Sequence, residues 1–366
     1  KGKIMRINKK YIKLVYILTL FISSCDNIPV DPPVISETPV PSQTSDQRLM
    51  DLIKPSSKNF LGIHPEIDFS QVEYLEIISI PENGIPQSIG KLINLRTLSL
   101  KVNDIREIPL EVFTLKKLET LSLQNSTLTE LSPQIGNLVN LRALNISNTF
   151  IKTLPAEIGN LSNLESLIAK DSDLLKLPKE IGRLKKLRLI DISRTSGFGS
   201  PIEELTSNLK GVPDEICNAE SLETIDFSSS ILERIPECLN KLSKLHKLNL
   251  NSTMLTELPQ SLKGLDSLQS LDLTQTKVKK LPEDIGHLKS LKMLNLSGTK
   301  FLKDLPPEIG GLESLETLTI NNSALKSLPP EIGKLKYLKS IILNKTFLSQ
   351  IPGEIGNLVN LKSISI

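Results

Sequence analysis

The sequence predicts an α/β solenoid: a right-handed coil with a parallel sheet of about 13 strands on its concave side and short helical turns or irregular segments on its convex side. Three observations carry this. A unit typified by Leu141 to Asn163, LRALNISNTFIKTLPAEIGNLSN, recurs to the last residue of the 366-residue chain. Inside it, apolar residues first alternate with polar ones and then spread apart, as in a half-buried strand followed by a return segment. The copies open at Val72, Leu95, Leu118, Leu141, Leu164, Leu187, Leu222, Leu245, Leu268, Leu291, Leu315, Leu338 and Leu361, in steps of 23 except for 35 after Leu187 and 24 after Leu291.

In the unit from Leu141, Leu144 and Ile146 alternate with Ala143, Asn145 and Ser147, so the strand falls here. Ile151 and Leu154 follow, then Pro155, Ile158, Gly159 and Leu161. Proline suits the first position of a short helical turn, and Glu157 suits its positive end. Gly159 is expected to take a positive φ and turn the chain back. One unit cannot enclose its own apolar side, so stacking buries Leu on Leu in a continuous core. Parallel strands with long connections coil right-handed. At about 4.8 Å per strand, thirteen strands span roughly 58 Å.

A 20–29-residue period with L-x-x-L-x-L-x-x-N/T-x-L spacing resembles the leucine-rich repeat family, which implies a horseshoe-shaped solenoid. The form L-P-x-E-I-G-x-L stands as LPAEIGNL at 154–161, LPPEIGKL at 328–335 and IPGEIGNL at 351–358. It is similar to bacterial surface repeat proteins, spirochaete lipoproteins among them. Position nine, usually Asn in the family, is Asn only at Asn103 here. Ten copies carry Ser or Thr instead: Ser126, Thr149, Ser172, Thr195, Ser230, Thr253, Thr276, Thr299, Ser323 and Thr346. A hydroxyl can donate and accept, so a structural ladder is expected.

Ahead of the repeats, Lys1, Lys3, Arg6, Lys9, Lys10 and Lys13 precede an apolar run, Leu14 to Ile22. Nine apolar residues are too few to span a bilayer, and the order of parts is that of a secretory signal over 1–24. The run I-S-S-C resembles a bacterial lipoprotein signal, which implies lipidation of Cys25. Loss of the signal would leave 38 basic against 41 acidic residues, a net charge of −3. At that charge nothing is expected to recruit nucleic acid, which would want a clustered basic face. Residues 25–50, with five prolines and no aromatics, read as an extended Pro-rich tether. Residues 51–71 read as an N-terminal cap and 72–366 as the repeat domain.

Twelve extra residues interrupt the period at about 196–207. Ser200-Pro201-Ile202-Glu203 reads as a capping box, so a short helix over 201–207 is expected. Phe198 is its best contact candidate, since insertions in solenoids map to one face. Cys217 and Cys238 occupy the glycine and glutamate positions of successive repeats. In an exported chain a disulfide between them is open, their two-position offset leaving the Cα spacing undetermined.

The outward strand positions form a central column: Glu76, Ser99, Ser122, Asn145, Ile168, Asp191, Asp226, Asn249, Asp272, Asn295, Thr319, Ile342 and Ser365. From it Asn145, Asp191, Asp226, Asn249, Asp272 and Asn295 are the candidate ligand contacts. A solvated face and a weak cation site at Asp191 and Asp226 are the competing readings. His64, His246 and His287 have no nucleophile at matching positions, and the glycines recur as Ile-Gly of the repeat turn. The expectation is therefore a protein without catalytic residues, resident metal or cofactor. The resemblance implies a binding module with a host or envelope protein as partner, held to the outer membrane by its lipid and facing outward or into the periplasm. Two alternatives remain: a periplasmic scaffold, and the recognition part of a longer protein. An open edge at the last strand would favour self-association.

Overall fold

The computed structural model describes residues 44–53, 68–78, 84–101, 105–194 and 209–366. The expected signal, Cys25, most of the tether, Asn103, Thr195, and the insertion with Phe198 and its helix lie outside the described residues.

Thirteen parallel strands form one unclosed sheet in strict chain order, from β1 (Tyr74–Ile77) and β2 (Thr97–Leu100) to β13 (Ser363–Ser365). Each strand is short because only three or four residues alternate before the chain must turn. In β4 (Ala143–Asn145) the middle residue, Leu144, is buried and its neighbours are half-exposed. The same middle position is filled by Leu167, Ile190, Ile225 and Leu248 in the strands that follow. All seven apolar residues read from the typical unit, Leu141, Leu144, Ile146, Ile151, Leu154, Ile158 and Leu161, are buried. Full burial of such a side chain stabilises by about 1.5–3 kcal/mol, which a single repeat could not realise alone.

The convex side carries 3-10 turns, such as Ala156–Asn160, Lys179–Arg183 and Pro330–Lys334. Pro155 stands one place earlier than expected, as the N-cap in extended geometry, while Pro133, Pro307 and Pro330 occupy the first turn.

The role expected of Gly159 is corrected. Its φ is not positive; among the described residues the positive-φ glycines are Gly84, Gly264 and Gly298. The constraint is space, because a Cβ on Gly159 would stand 2.7 Å from Glu180 Cβ and 2.8 Å from Glu180 O in the next turn. Consecutive 3-10 turns thus touch through a residue and another 21 places later. The left-handed corner lies elsewhere, one residue before position nine. Asn125, Asn148, Asp171, Ser229, Ser252, Gln275, Asn322 and Lys345 have φ of 51–59°, and Gly298 has φ 72°. There the backbone N–H reaches across, as from Asn148 to Lys170 O at 2.7 Å and from Ser252 to Thr274 O at 2.7 Å.

The hydroxyls of position nine do form a repeated device, but not one that bridges turns. Eight of the ten donate to the carbonyl three residues back in their own repeat, for example Thr149 to Ile146 O and Thr299 to Leu296 O, both at 2.7 Å. The side chain is too short to span to a neighbouring turn, so it closes its own corner.

The tether is shorter than expected. Residues Ser45–Ile53 form helix α1, so the cap begins six residues before position 51. Thr44 Oγ1 accepts from Gln47 N–H at its start, and Leu49 and Leu52, three apart, are buried. Ser88 N–H donates to Ser45 Oγ at 3.0 Å, and Ser88 Oγ donates to Ser45 O at 2.7 Å, which fixes α1 over the first convex turn.

Candidate functional site

The predicted central column is in register throughout. Glu76 aligns with Ser99, Ser99 with Ser122, and so on to Ile342 with Ser365. All six candidate contacts therefore share one column, and Asp226, Asn249, Asp272 and Asn295 lie on consecutive strands.

Each of the six also serves its own backbone. Asn145, Asp191, Asp226, Asn249, Asp272 and Asn295 accept through Oδ1 from the N–H two residues on, at 2.8–3.1 Å. This closes the turn that ends the strand, a local bond these short side chains favour. Ser193 and Ser228 add hydroxyl bonds to Asp191 and Asp226 at 2.6 Å. The second oxygens are taken too. Asp226 Oδ2 accepts from Asn249 Nδ2 at 2.8 Å, and Asp191 Oδ2 lies 3.2 Å from Lys170 Nζ. The Asp191–Asp226 pair is thus engaged by donors, and among the described residues no group of three or more His, Cys, Asp or Glu is placed to hold a metal.

Free capacity gathers at the carboxyl ends of the strands. Gln124, Asn125, Asn145, Ser147, Asn148, Ile168, Lys170, Asp171 and Arg194 line a depression of about 630 Å³. Asn148 Nδ2 donates to Asn125 Oδ1 at 2.8 Å and Asn145 Nδ2 to Gln124 Oε1 at 3.0 Å, which leaves Asn148 Oδ1 and the amide N–H groups of Asn125 and Gln124 with bonding capacity to spare. Arg194 Nη1 is buried without a hydrogen-bond partner, and Arg194 is the last described residue before the insertion. A buried donor without a partner carries a desolvation penalty that a ligand acceptor would relieve.

A second feature escaped the strand-centred reading. In the first seven copies the residue after the opening Leu or Val runs Glu73, Arg96, Glu119, Arg142, Glu165, Arg188 and Glu223, alternating in sign. Arg96 pairs with Glu119, Arg142 with Glu165 at 2.7 Å, and Arg188 with Glu223 at 2.8 Å. Lys339 and Glu316 repeat the pattern at 2.7 Å. The Arg188 guanidinium holds the Glu223 carboxyl below its ordinary value, and Lys339 does the same to Glu316. Reading every twenty-third residue outside the strand exposes this signal.

The cysteines are bridged, with Cα atoms 6.0 Å apart. Their separation of 21 is the offset at which Gly159 meets Glu180, so stacking brings the two positions together. The apparent two-position mismatch is the geometry of adjacent turns.

Of the three histidines, His64 lies outside the described residues and His246 stands next to the strand Lys247–Asn249. His287 Nδ1 is 3.5 Å from Asp284 Oδ1, and Ser261 Oγ donates to Asp284 Oδ2 at 3.0 Å. This trio has the carboxylate in the middle, whereas nucleophile activation needs the imidazole there. Partial burial opposes ionisation of Asp284, but Ser261, Lys263 and the Leu262 N–H outweigh it and hold the carboxyl below its ordinary value.

A family model described as leucine-rich repeat region matches residues 129–208 and 283–366, and a second described as leucine rich repeat matches 243–301. Together they span more than half of the chain. The chain belongs to the leucine-rich repeat family. Its fold is similar to an internalin from Listeria monocytogenes, at 20% identity and TM-score 0.55, over 81% of this chain and 88% of that one. Toll in the Drosophila Toll–Spätzle complex is similar at 20% identity and TM-score 0.59, over 80% of this chain and 43% of that one. A leucine-rich repeat protein of Leptospira interrogans matches at 28% identity and TM-score 0.48, over 80% and 89%. No curated protein matches this leucine-rich repeat chain in sequence.

Proposed function

We propose that this leucine-rich repeat protein is a non-catalytic protein-binding module, displayed on a bacterial envelope as a lipoprotein through Cys25. The observation that supports binding is the depression at the carboxyl ends of the strands. It combines unused amide groups, an apolar floor at Ile168 and the orphaned Arg194 Nη1 beside an insertion in the repeat. A protein ligand presenting an acidic or carbonyl-rich segment would satisfy that guanidinium. The column from Asn145 to Asn295 would then act mainly as the frame that holds the strand ends in place, with its half-exposed edges as secondary contacts.

Protease shaving of intact cells, run beside a Cys25→Ala variant, tests the display. Digestion of the wild-type chain on whole cells and release of the variant from the membrane are the expected results. Protection until the outer membrane is opened would replace this reading with the periplasmic scaffold. A variant that stayed membrane-bound would remove the lipid anchor. For binding, Arg194→Ala should weaken any captured ligand without changing the circular dichroism spectrum.

A further inference from the structure

The segment between position nine and the convex turn differs in charge between the two halves of the solenoid. In most earlier repeats acids match or exceed bases, as in TLTELS at 127–132, DLLKLP at 173–178, ILERIP at 231–236 and MLTELP at 254–259; FIKTLP at 150–155, with Lys152 and the exposed Phe150, is a single-lysine exception. From 277 it reads KVKKLP, KFLKDLP and ALKSLP in three consecutive repeats, bases exceeding acids in each, and then the uncharged FLSQIP. Lys277, Lys279, Lys280, Lys303, Lys326 and Lys345 are all exposed, and none is within ion-pair distance of a carboxylate among the described residues. Phe301 and Phe347 stand among them 52% and 72% exposed.

Backbone bonds place these residues side by side on one lateral rim. Lys279 N–H donates to Thr256 O at 3.2 Å, Lys326 N–H to Lys303 O at 2.8 Å, and Phe347 N–H to Leu325 O at 3.0 Å. Neighbouring backbones in such a ladder are about 4.8 Å apart, so the lysines form a close row. The acids on the same stretch are Glu257 and Asp304, and Asp304 accepts from Ser327 Oγ at 3.1 Å.

We propose that this rim docks on a membrane surface rich in anionic phospholipid, the lysines meeting headgroup phosphates and the two phenylalanines entering the interfacial layer. Composition separates this occupant from a protein. Protein interfaces favour Trp, Tyr and Arg and deplete Lys. The rim has exposed Phe among unpaired Lys and none of those three, which is the make-up of interfacial membrane contacts. A sulfated glycan would use the lysines and leave the exposed phenylalanines without a role. This contact is independent of any lipid on Cys25 and of the depression beside Arg194.

The chain has no Trp, so Phe347→Trp in the full chain supplies a single local reporter. That matters because the apolar run at 14–22 would carry the chain to vesicles whatever the rim does. Phosphatidylcholine vesicles containing phosphatidylglycerol should shift its emission to the blue, and pure phosphatidylcholine vesicles should not. Adding Lys279→Ala, Lys303→Ala and Lys326→Ala should weaken the transition about fivefold per lysine, on the order of 100-fold together, and raised salt should reverse it. Emission unchanged by anionic vesicles, or an equal shift in the lysine variant, would overturn the proposal. A shift with heparin but not with vesicles would overturn it too, in favour of a glycan site. All these side chains are exposed, so an unchanged circular dichroism spectrum confirms that the fold is intact.

Discussion

The tetrapeptide EIGN occurs at 157–160 and again at 354–357, in the same 3-10 turn each time. A Cβ on Gly159 would meet Glu180 Cβ at 2.7 Å, Glu180 O at 2.8 Å and Arg183 Cδ at 3.2 Å, whereas one on Gly356 would meet nothing within 4 Å. Carbon contacts relax near 3.5–4 Å, so Gly159→Ala forces the next turn outward by about 1 Å. Such overpacking costs about 1–3 kcal/mol. Both substitutions also restrict the unfolded chain, which stabilises by about 0.4–1 kcal/mol. Because the tetrapeptide is identical, that gain cancels between them. Gly356→Ala should be neutral or slightly stabilising, and Gly159→Ala should lie about 1–3 kcal/mol below it. Guanidinium melts followed by circular dichroism give the difference. Since a repeat array couples mainly to its neighbours, hydrogen exchange of the Leu161 and Leu358 amides should accompany them. These amides bond to Ile158 O and Ile355 O at 3.1 and 3.2 Å. Equal effects of the two variants would refute close turn-to-turn approach as the reason for the glycine.

The Cys217–Cys238 bridge occupies the same contact, and a disulfide closing a loop of this size stabilises by about 3 kcal/mol. Cys217→Ala with Cys238→Ala should lower the melting temperature, while Cys217→Gly with Cys238→Glu should make melting indifferent to reductant and recover part of the loss. For acid stability, Glu223 and Glu316 have carboxyls held below their ordinary values by Arg188 and Lys339. Their contribution is complete above the unfolded carboxylate range, near pH 4.5, and disappears as pH falls through the lower folded values. Melting temperature should therefore be level above about pH 5 and fall below about pH 4.5. Glu223→Gln with Glu316→Gln should flatten that fall, and salt should shrink the difference. Thr299 is fully buried and donates to Leu296 O, so Thr299→Val should destabilise by about 1–2 kcal/mol in the same melts.

Periodicity made most of the fold legible. Once Leu144 and Leu167 are read as equivalent, the strand order, the parallel register and the buried positions follow from stacking alone. What periodicity could not supply was the bond each repeated residue makes. Gly159 reads as a turn residue because glycine tolerates positive φ, yet its use is to leave room for Glu180. Thr149 reads as a bridge between turns because family members carry Asn there, yet its hydroxyl reaches only its own Ile146 carbonyl. The start of the cap was missed because prolines dominate the composition before residue 45, while Leu49 and Leu52 form a helix face too short to stand out. The column from Asn145 to Asn295 was located correctly as a column, but its bonds to the following backbone are local and have no signature in a polar strand position.

Removing from the repeat every side chain that the scaffold already uses changes where recognition must be sought. The middle strand residue fills the core, the Asn and Asp of the central column close the strand-ending turns, and position nine closes the next corner. In four places the residue after the opening Leu pairs with its opposite charge one repeat away. Among the described residues, uncommitted side chains gather past the ends of the strands, the paired amides and Arg194 on one stretch and the lysines with Phe301 and Phe347 on another. Ile93, Val139, Tyr337 and Val359 are exposed at the turns that lead into the strands. Within the strands, Lys247 and Met293 are exposed at the outward position that precedes the buried one. A ligand that read the centre of the concave face would have to compete with hydrogen bonds of 2.6–3.1 Å that hold the turns. One that reads the rims meets side chains whose bonding capacity is still open. Substituting Asp226 or Asn249 should therefore lower stability before it lowers affinity, and substituting Arg194 should do the reverse.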